Sequence, residues 1–358
     1  MAKMLLSPMA LRAVTATAIF ITLFYLVARR HSPGLAALQE AVAQRTQRAT
    51  IPNYVHHVFI LEDPEADFPF EFADFLSAYS GWLHLRPDKI FLHTNANERQ
   101  IGRARDGSAG KWTKLLFGLP RLVVSPVVMP THAANGLELN HVAHKSDMVR
   151  ARVVRDHGGM YIDFDVIVLR DMAALRRTGF AAVTGREIRH EVNSGTFMSR
   201  RRSRFISEWA ERMPQVYDGG WLTHSNMLMT TIANRLVAEP GQMLILERDA
   251  MAPGDWDNQP AINKDLFGAR DDAPDHIRDL RPGAALPPVR DDAADARPSW
   301  AWDLNTSYLL HAFPLEMLDF KISPRYVLER RSNYARAAYP IVKDMYERGH
   351  VTYKDITS

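Results

Sequence analysis

The sequence predicts an α/β fold with a mostly parallel central sheet, and three observations support that prediction. Strand-like and helix-like runs alternate from residue 51 onward in the order strand, helix, strand, strand, helix, strand. A stretch with helical periodicity at 141–157 ends in Gly158-Gly159, and an apolar strand-like run follows it at once. The chain has 358 residues, 46% hydrophobic and 24% charged, which suffices for one large α/β domain or two smaller ones.

Four elements are predicted before residue 130. A first strand is expected at Val55–Ile60, within "IPNYVHHVFI". Large apolar side chains at helical spacing predict a helix over 68–80; they are Phe68, Phe72, Phe75, Leu76 and Tyr79. Two further strands follow, at Ile90–Leu92 and Leu122–Val124. The spacing between these strands leaves room for the connections that parallel pairing needs.

The central part of the chain is expected to continue this order. After the helix over 141–157 and its glycine stop, "MYIDFDVIVL" predicts a strand over 160–169. Further helices are expected at Phe205–Met213 and Asn226–Val237. Residues 270–299 are rich in Pro, Asp, Ala and Arg and contain few large apolar residues, so they predict a loop insertion.

The first fifty residues differ from the rest of the chain. Ala13–Ala28 carries no charge, and its 16 residues would form a helix of about 24 Å, at the short end for a membrane span. We therefore predict a cytosolic tail at 1–12, a transmembrane anchor at 13–30 and a stem at 31–50. The alternative is a cleaved signal peptide. The folded domain is expected at 51–340, and 341–358 is expected to be a C-terminal tail.

Composition excludes several kinds of site. The chain has no cysteine, so neither a disulfide nor a thiolate metal site can form. Its 44 basic and 41 acidic residues leave a net charge of +3, which is close to balance. The short basic clusters at Arg200–Arg202 and Arg330-Arg331 are typical of solvated surface. We therefore expect no nucleic-acid partner.

Two aspartates, Asp163 and Asp165, interrupt an otherwise apolar strand-like run. Residues i and i+2 of a strand project to the same face, so the two carboxylates are expected side by side, with Phe164 packing on the opposite face. Adjacent carboxylates repel unless a cation lies near them, and oxygen ligands suit Mg²⁺ or Mn²⁺. The alternative is an edge strand whose polar face meets water. A second D-x-D, Asp255-Trp-Asp257, lies in loop-like sequence, which shows that the motif alone is a weak signal.

The segment "HKSDMVRARVVRDHGGMYIDFDVIVLR" resembles the D-x-D region of the glycosyltransferases that share a sugar-binding DXD motif, a family-32-like group related to yeast initiating mannosyltransferases and clostridial glucosylating toxins. Eight residues match the pattern S-D-x-x-R followed by G-G-x-Y-x-D-x-D; they are Ser146, Asp147, Arg150, Gly158, Gly159, Tyr161, Asp163 and Asp165. Weaker matches are "IPNYVHHVFI", "EVNSGTFMSRRRSRFISEWAE" and "SYLLHAF". Together the matches cover most of residues 51–320.

The resemblance implies a GT-A-type, Rossmann-like catalytic domain. It also implies a metal-dependent hexose transfer that retains the anomeric configuration. The expected cofactor is Mn²⁺ or Mg²⁺, the donor is a UDP-hexose or GDP-mannose, and the acceptor is a glycan or glycolipid. It makes Asp165 the main metal ligand, Asp163 a group shared between metal and donor ribose, and His311 a third contact to metal or phosphate. A buried core histidine is the alternative for His311.

The resemblance also implies roles for residues outside the D-x-D. Asp147 and Arg150 lie at i and i+3 on one helix face, where an exposed ion pair is the alternative, and the family places them on the donor sugar and diphosphate. Asn193 is expected near the donor sugar or acceptor. Val58 and Phe59 are expected to flank the nucleotide base. The pair His224-Ser225 resembles an H-S pair that faces the acceptor.

The membrane topology and the functional class of the protein each have an alternative. Basic residues after the anchor favour a cytosolic C-terminus. The resemblance instead favours a type II protein of the Golgi or ER membrane with a lumenal catalytic domain. The other functional classes are a non-catalytic, membrane-anchored sugar-binding protein on the same fold and a phosphatase of the haloacid-dehalogenase type.

Overall fold

A seven-stranded sheet organises the part of the chain that the computed structural model describes, which is residues 50–63, 65–254, 256, 261, 263–288, 298–313, 315 and 318–357. The sheet strands in chain order are β1 Tyr54–Phe59, β2 Lys89–Thr94, β3 Leu122–Pro126, β4 Gly159–Ile162, β6 Ala182–Arg186, β7 Val192–Ser199 and β8 Met243–Leu246. Two short strands, β5 Val166–Val168 and β9 Leu309–His311, form a separate antiparallel pair. The predicted tail, anchor and stem at 1–49 lie outside the described residues.

The order across the large sheet is β3-β2-β1-β4-β7-β6-β8. The pairs β3–β2, β2–β1, β1–β4 and β6–β8 are parallel, whereas β7 is antiparallel to both of its neighbours, β4 and β6. The predicted α/β fold with a mostly parallel central sheet is therefore confirmed. Because β7 alone is reversed, its first residues lie at the same sheet edge as the last residues of β4.

Eleven helices are present in the described residues. They are α1 Phe72–Leu85, α2 Glu98–Asp106, α3 Lys111–Phe117, α4 Val142–His157, α5 Ala173–Arg176, α6 Arg204–Val216, α7 Leu228–Val237, α8 Arg248–Met251, α9 Pro324–Glu329, α10 Asn333–Glu347 and α11 Tyr353–Thr357. A single 3₁₀ turn forms at Ile188–His190, and single π turns form at Thr223–Met227 and Asn263–Phe267. Within the described ranges, no helix has both the length and the apolar character to cross a membrane.

Both faces of the sheet are covered. Met160 and Ile162 of β4 pack in one core cluster, and Tyr161 between them packs in another with helices α4, α6 and α7. This alternation is the period-two pattern of a strand whose two faces are both buried. A third core cluster contains residues of α1, α9 and α10, and Phe75 and Tyr79 of α1 are among its fully buried aromatic residues.

Two predicted boundaries need correction. The helix expected at 68–80 begins at Phe72 and continues to Leu85, because Pro69 precedes it and the Asp74 carboxylate accepts the Glu71 backbone N–H at its start. Much of the tail expected at 341–358 is helical: 341–347 lie in α10 and 353–357 in α11, where Val342, Met345 and Ile356 are buried. The described part of the predicted loop insertion, 270–288, contains neither helix nor strand, and Ile277 is buried in the core.

The run 160–169, predicted as one strand, belongs to two sheets. β4 ends at Ile162, the D-x-D forms a turn in which Val166 N donates to Asp163 O at 3.2 Å, and β5 then pairs with β9. The hydroxyl of Ser77 on α1 donates to the backbone oxygens of Asp163 and Val166. The prediction that the aspartates lie within a continuous strand is therefore wrong. A turn leaves both carboxylates at the sheet edge, where they avoid the cost of burial between paired strands.

Candidate active site

The D-x-D turn lies at the carboxyl end of β4, and α4 returns to the sheet at the amino end of the same strand. The return is made by Gly158 and Gly159, with φ of +70° and +115°. A Cβ on Gly158 would lie 2.7 Å from Arg201 N, and one on Gly159 would lie 2.7 Å from Tyr54 O. Only glycine fits both the backbone conformation and this close approach. The two glycines therefore position α4 against the strand that leads to the aspartates.

Arg150 on α4 connects three of the predicted site residues. Its guanidinium lies 3.3 Å from the Asp147 carboxylate and 3.1 Å from the Asp163 carboxylate, and it stacks on the Tyr161 ring at 4.5 Å. The same guanidinium donates to Ser194 O at 3.1 Å. Arg150 and Asp147 are both buried. The pair is therefore not an exposed surface ion pair but a desolvated network that fixes Asp163.

Asp163 is held by its protein partners. The Tyr161 hydroxyl donates to Oδ1, and Arg150 donates to Oδ2. Burial still raises the pKa of Asp163 to about 6; Arg150 opposes this shift and the nearby Asp165 adds to it. A further positive charge beside the two carboxylates would relieve that repulsion.

Asp163, Asp165 and His311 form the one group of potential metal ligands found in the described residues. Each offers a ligand atom, and these atoms lie within 4.8 Å of one another. His311, on β9, has its Nε2 3.2 Å from the Asp165 carboxylate, and its Nδ1 lies 2.8 Å from Asn193 Nδ2. Burial opposes the charged imidazole, but Asp165 and Asp163 raise the pKa of His311 above its ordinary value.

These residues fit a hard divalent cation. Asp165 Oδ1 is buried and lies 3.2 Å from His311 Nε2, but it accepts no hydrogen bond from the described residues. A buried carboxylate oxygen that accepts no hydrogen bond is costly, and a metal ion would satisfy it. Carboxylates with one imidazole make an oxygen-rich donor set that suits Mn²⁺ or Mg²⁺.

Gly195 of β7 permits the close packing of this cluster. A Cβ on Gly195 would lie 2.5 Å from His311 Cε1 and 2.7 Å from Asp163 Oδ2. Asn193 anchors the same segment, since its Oδ1 accepts from Gly195 N at 2.7 Å and from Thr196 N at 3.0 Å. Sequence analysis did not single out Gly195, although a glycine inside a strand often marks a close approach.

The cluster opens into a cavity of about 1040 Å³. All six predicted catalytic and metal residues line it; they are Asp147, Arg150, Asp163, Asp165, Asn193 and His311. Val58 and Phe59 do not: Val58 is buried in the core beside α4, and Phe59 packs on Phe70 and Phe164. Phe164 itself packs on His57 at 4.8 Å, but it also lines the cavity, so it does not lie on the face opposite the two carboxylates.

Of two further residues expected near the substrate, one lines the cavity and the other does not. Ser225 lines the cavity. His224 is fully buried, and its Nε2 lies 3.0 Å from the Asp147 carboxylate. His224 therefore orients Asp147 from beneath and does not line the cavity itself.

Glu187 is a buried cavity carboxylate that sequence analysis missed. It follows β6, and its Oε1 accepts from Asn226 Nδ2 at 2.6 Å and from Trp256 Nε1 at 2.9 Å. Burial raises the pKa of Glu187 to about 7, against the opposing effect of His311. No motif surrounds this glutamate in "AAVTGREIRHEV", so only the three-dimensional structure places it at the site.

Solved structures with similar folds include several glycosyltransferases. The PaToxG glycosyltransferase is 13% identical, with a TM-score of 0.39 over 60% of this chain and 80% of that one. The apo form of GlyE from Streptococcus pneumoniae TIGR4 is 13% identical, with a TM-score of 0.40 over 84% of this chain and 64% of that one. Mouse xyloside xylosyltransferase 1 is 12% identical, with a TM-score of 0.34 over 55% of this chain and 86% of that one.

A curated relative is the protein named Glucan organizing enzyme 1 from Cryptococcus neoformans var. grubii serotype A. It is 24% identical over 202 residues, which are 52% of this chain and 51% of that protein. The chain therefore spans about half the length of this relative.

Residues 74–181 match the family model described as "Glycosyltransferase sugar-binding region containing DXD motif". This match covers less than a third of the chain. The matched range holds Asp147, Arg150, Asp163 and Asp165, so the D-x-D turn lies in the part of the chain that is similar to this sugar-binding region.

Proposed function

We propose that the protein is a metal-dependent, retaining hexosyltransferase that moves a sugar from a UDP-hexose or GDP-mannose to a glycan or glycolipid. The observation that carries this proposal is the cluster of Asp163, Asp165 and His311 with an unsatisfied carboxylate oxygen, at the wall of a cavity that Arg150 also lines. Retention is inferred from the resemblance of residues 146–165 to retaining enzymes.

Asp165 and His311 would hold the cation, together with one oxygen of Asp163. A bound Mn²⁺ or Mg²⁺ would neutralise the negative charge that develops on the departing nucleoside diphosphate. Arg150 adds a fixed positive charge within 3.1 Å of Asp163 that does not depend on the metal. Asp147, oriented by His224 and Arg150, is positioned to accept hydrogen bonds from donor-sugar hydroxyls.

The polar residues of β7 complete the proposed donor site. Asn193 bonds to His311 and to two backbone N–H groups, so its side chain is fixed before any ligand arrives. Such preorganised dipoles stabilise developing charge without reorganising during the reaction. Water is displaced from this part of the cavity when the donor enters, which strengthens each of these interactions.

Asp165→Asn in the full-length chain, purified in detergent, tests the proposal. We expect donor hydrolysis and transfer with Mn²⁺ to fall about a hundredfold or more, because the amide cannot replace the anionic ligand. Asp156→Asn is the control: Asp156 lies on α4 with 42% of its side chain exposed, bonds to Arg155, and does not line the cavity. Undiminished turnover by Asp165→Asn would contradict the proposal. Mn²⁺-dependent donor binding without any turnover would favour the sugar-binding alternative.

We also propose a type II topology with the catalytic domain in the Golgi or ER lumen. The uncharged run at 13–28 and the resemblance support it. Protease treatment of sealed vesicles checks the topology: the domain should survive until detergent is added. Its cleavage in intact vesicles would contradict a lumenal location.

A further inference from the structure

Beyond the donor network, a second set of polar residues continues along the cavity wall. Arg150 donates to Ser194 O, the Ser194 hydroxyl donates to Asn226 Oδ1, and Asn226 Nδ2 donates to Glu187 Oε1. All four residues line the cavity. Glu187 is therefore connected to the donor network through two intervening residues but does not belong to it.

The two oxygens of Glu187 differ. Oε1 accepts both hydrogen bonds, from Asn226 and from Trp256, whereas Oε2 accepts none from the described residues. Glu187 is only 4% exposed. A carboxylate oxygen that lies at a cavity wall and has no donor is suited to accept a hydrogen bond from a ligand.

Exposed aromatic surface lies at the same part of the cavity. Trp221 lines the cavity and is 62% exposed, and it is held from below by the His144 ring at 5.2 Å. Trp256 also lines the cavity, and Arg189 lies over its ring at 5.3 Å. Flat indole rings pack against the apolar C–H face of a sugar ring, while neighbouring polar groups bind its hydroxyls.

We propose that Glu187, Asn226, Trp221 and Trp256 form the acceptor subsite. Glu187 Oε2 holds the hydroxyl that receives the sugar, and the acceptor is a pyranoside whose ring packs on Trp221. This inference rests on the proposed transferase function and adds to it the class of acceptor and the residues that select it. No motif marks these four residues, and the family match does not include them, because it covers residues 74–181 and all four lie after residue 181.

The transfer needs no reactant other than the nucleotide-sugar donor and the acceptor. The acceptor oxygen forms the new bond to the anomeric carbon, and the bond from that carbon to the phosphate oxygen breaks with its electron pair left on the diphosphate. The proton of the acceptor hydroxyl passes to the departing diphosphate oxygen. Glu187 orients the hydroxyl and does not keep the proton.

The test separates donor hydrolysis from transfer in the full-length chain with Mn²⁺. Methyl and octyl pyranosides serve as acceptors; preference for the octyl series identifies a glycolipid source, and equal use identifies a soluble glycan. For Glu187→Gln we expect acceptor kcat/KM to fall about tenfold to a hundredfold, because a charge-assisted hydrogen bond is lost. Donor KM and donor hydrolysis stay within about threefold of the unmodified enzyme.

Glu191→Gln is the matched control, since Glu191 closes the same β6–β7 connection but does not line the cavity. Trp221→Ala should raise the acceptor KM about tenfold with an unchanged donor KM. Met227→Ala, also exposed and outside the cavity lining, should change neither KM.

Equal loss of hydrolysis and transfer in Glu187→Gln would show that Glu187 acts on the donor, and it would overturn the inference. Unchanged transfer in Glu187→Gln would overturn it as well. An unmodified enzyme that hydrolyses no donor would instead refute the proposed function itself.

Discussion

The cavity contains two kinds of buried carboxylate, and they are stabilised in different ways. Asp147 and Asp163 are paired with the Arg150 guanidinium. Glu187 makes no ion pair within the described residues and accepts hydrogen bonds only from Asn226 and Trp256. The first arrangement fixes geometry and charge before a ligand binds. The second leaves a carboxyl group near its neutral form, able to respond to the ligand it meets.

The two arrangements also affect the stability of the folded protein differently. A buried ion pair compensates desolvation by Coulomb attraction, and removal of one partner leaves an uncompensated buried charge. A buried carboxyl group without a cation responds by a raised pKa, so that folding disfavours its ionised form. The Arg150 region should therefore be sensitive to substitution at all pH values near neutrality, and the Glu187 region should be sensitive to pH.

Arg150→Ala should have the largest effect on stability. It leaves Asp147 and Asp163 unpaired, so we expect a loss of about 3–5 kcal/mol in the free energy of unfolding, measured by denaturant titration. Arg150→Lys should lose less stability but still impair transfer, because an ammonium group cannot contact both carboxylates as the guanidinium fork does.

Arg212→Ala is the control for Arg150. Arg212 bonds to Glu208 one helical turn away, with 44% of its side chain exposed, so its removal should change stability by no more than about 0.5 kcal/mol. If Arg150→Ala and Arg212→Ala lost the same free energy of unfolding, the buried network would contribute no more than a surface pair. The proposed difference between the Arg150 and Glu187 regions would then be wrong.

Gly195→Ala should weaken the metal cluster without removing any charge. The added methyl group meets His311 Cε1 and Asp163 Oδ2, so one of them must move. We expect Mn²⁺ affinity, measured by calorimetry, to fall about tenfold to a hundredfold, the range seen when groups supporting metal ligands are disturbed. In Gly102→Ala, on the exposed face of α2, the Cβ meets no atom within 4 Å. Its Mn²⁺ affinity should be unchanged, and loss of affinity there would point to a nonspecific effect.

Glu187→Gln should stabilise the protein above neutral pH. Burial raises the pKa of Glu187 from 4.5 to about 7, with Glu191 adding to the shift and His311 opposing it. Below pH 4.5 the carboxyl is protonated in both states and contributes no penalty; as pH rises toward 7 only the unfolded state releases its proton freely, and stability falls. A shift of this size corresponds to at most about 3 kcal/mol.

The measurement for Glu187→Gln is the melting temperature of variant and unmodified protein at pH 4.5 and pH 8, without added metal. The variant should melt higher at pH 8 and equally at pH 4.5. If the two proteins differed in melting temperature by the same amount at both pH values, Glu187 would affect stability through packing and not through its charge. The Glu187 region would then not differ from the Arg150 region in its response to pH.

Sequence alone brought Asp163, Asp165 and His311 together as candidate metal ligands but did not predict their surroundings. Asp163 and Asp165 were recognisable because side chains two residues apart are close in either a strand or a turn, so the wrong strand prediction did not change the candidate pair. Glu187 and Asn226 are 39 residues apart and meet only because a π turn at Thr223–Met227 lies against β7. Neither periodicity nor a motif predicts such a contact.

The fold was predictable where local pattern decides it. Strands β1 to β4 and helix α4 follow from apolar runs, helical spacing and the Gly158-Gly159 stop. The reversal of β7 does not, because strand direction depends on which connections pack best in three dimensions. That reversal is what brings Asn193 and Gly195 to the edge where β4 ends.

The pairing of β5 with β9 has a consequence for how the protein matures. His311 and Asp165 are 146 residues apart in sequence, so their contact closes a long loop. Contacts of such separation carry a large entropic cost and form after the local elements that hold them. During synthesis the aspartates emerge from the ribosome long before the histidine does. Full metal affinity should therefore arise only in chains completed beyond β9, and ion binding would then report that folding has finished.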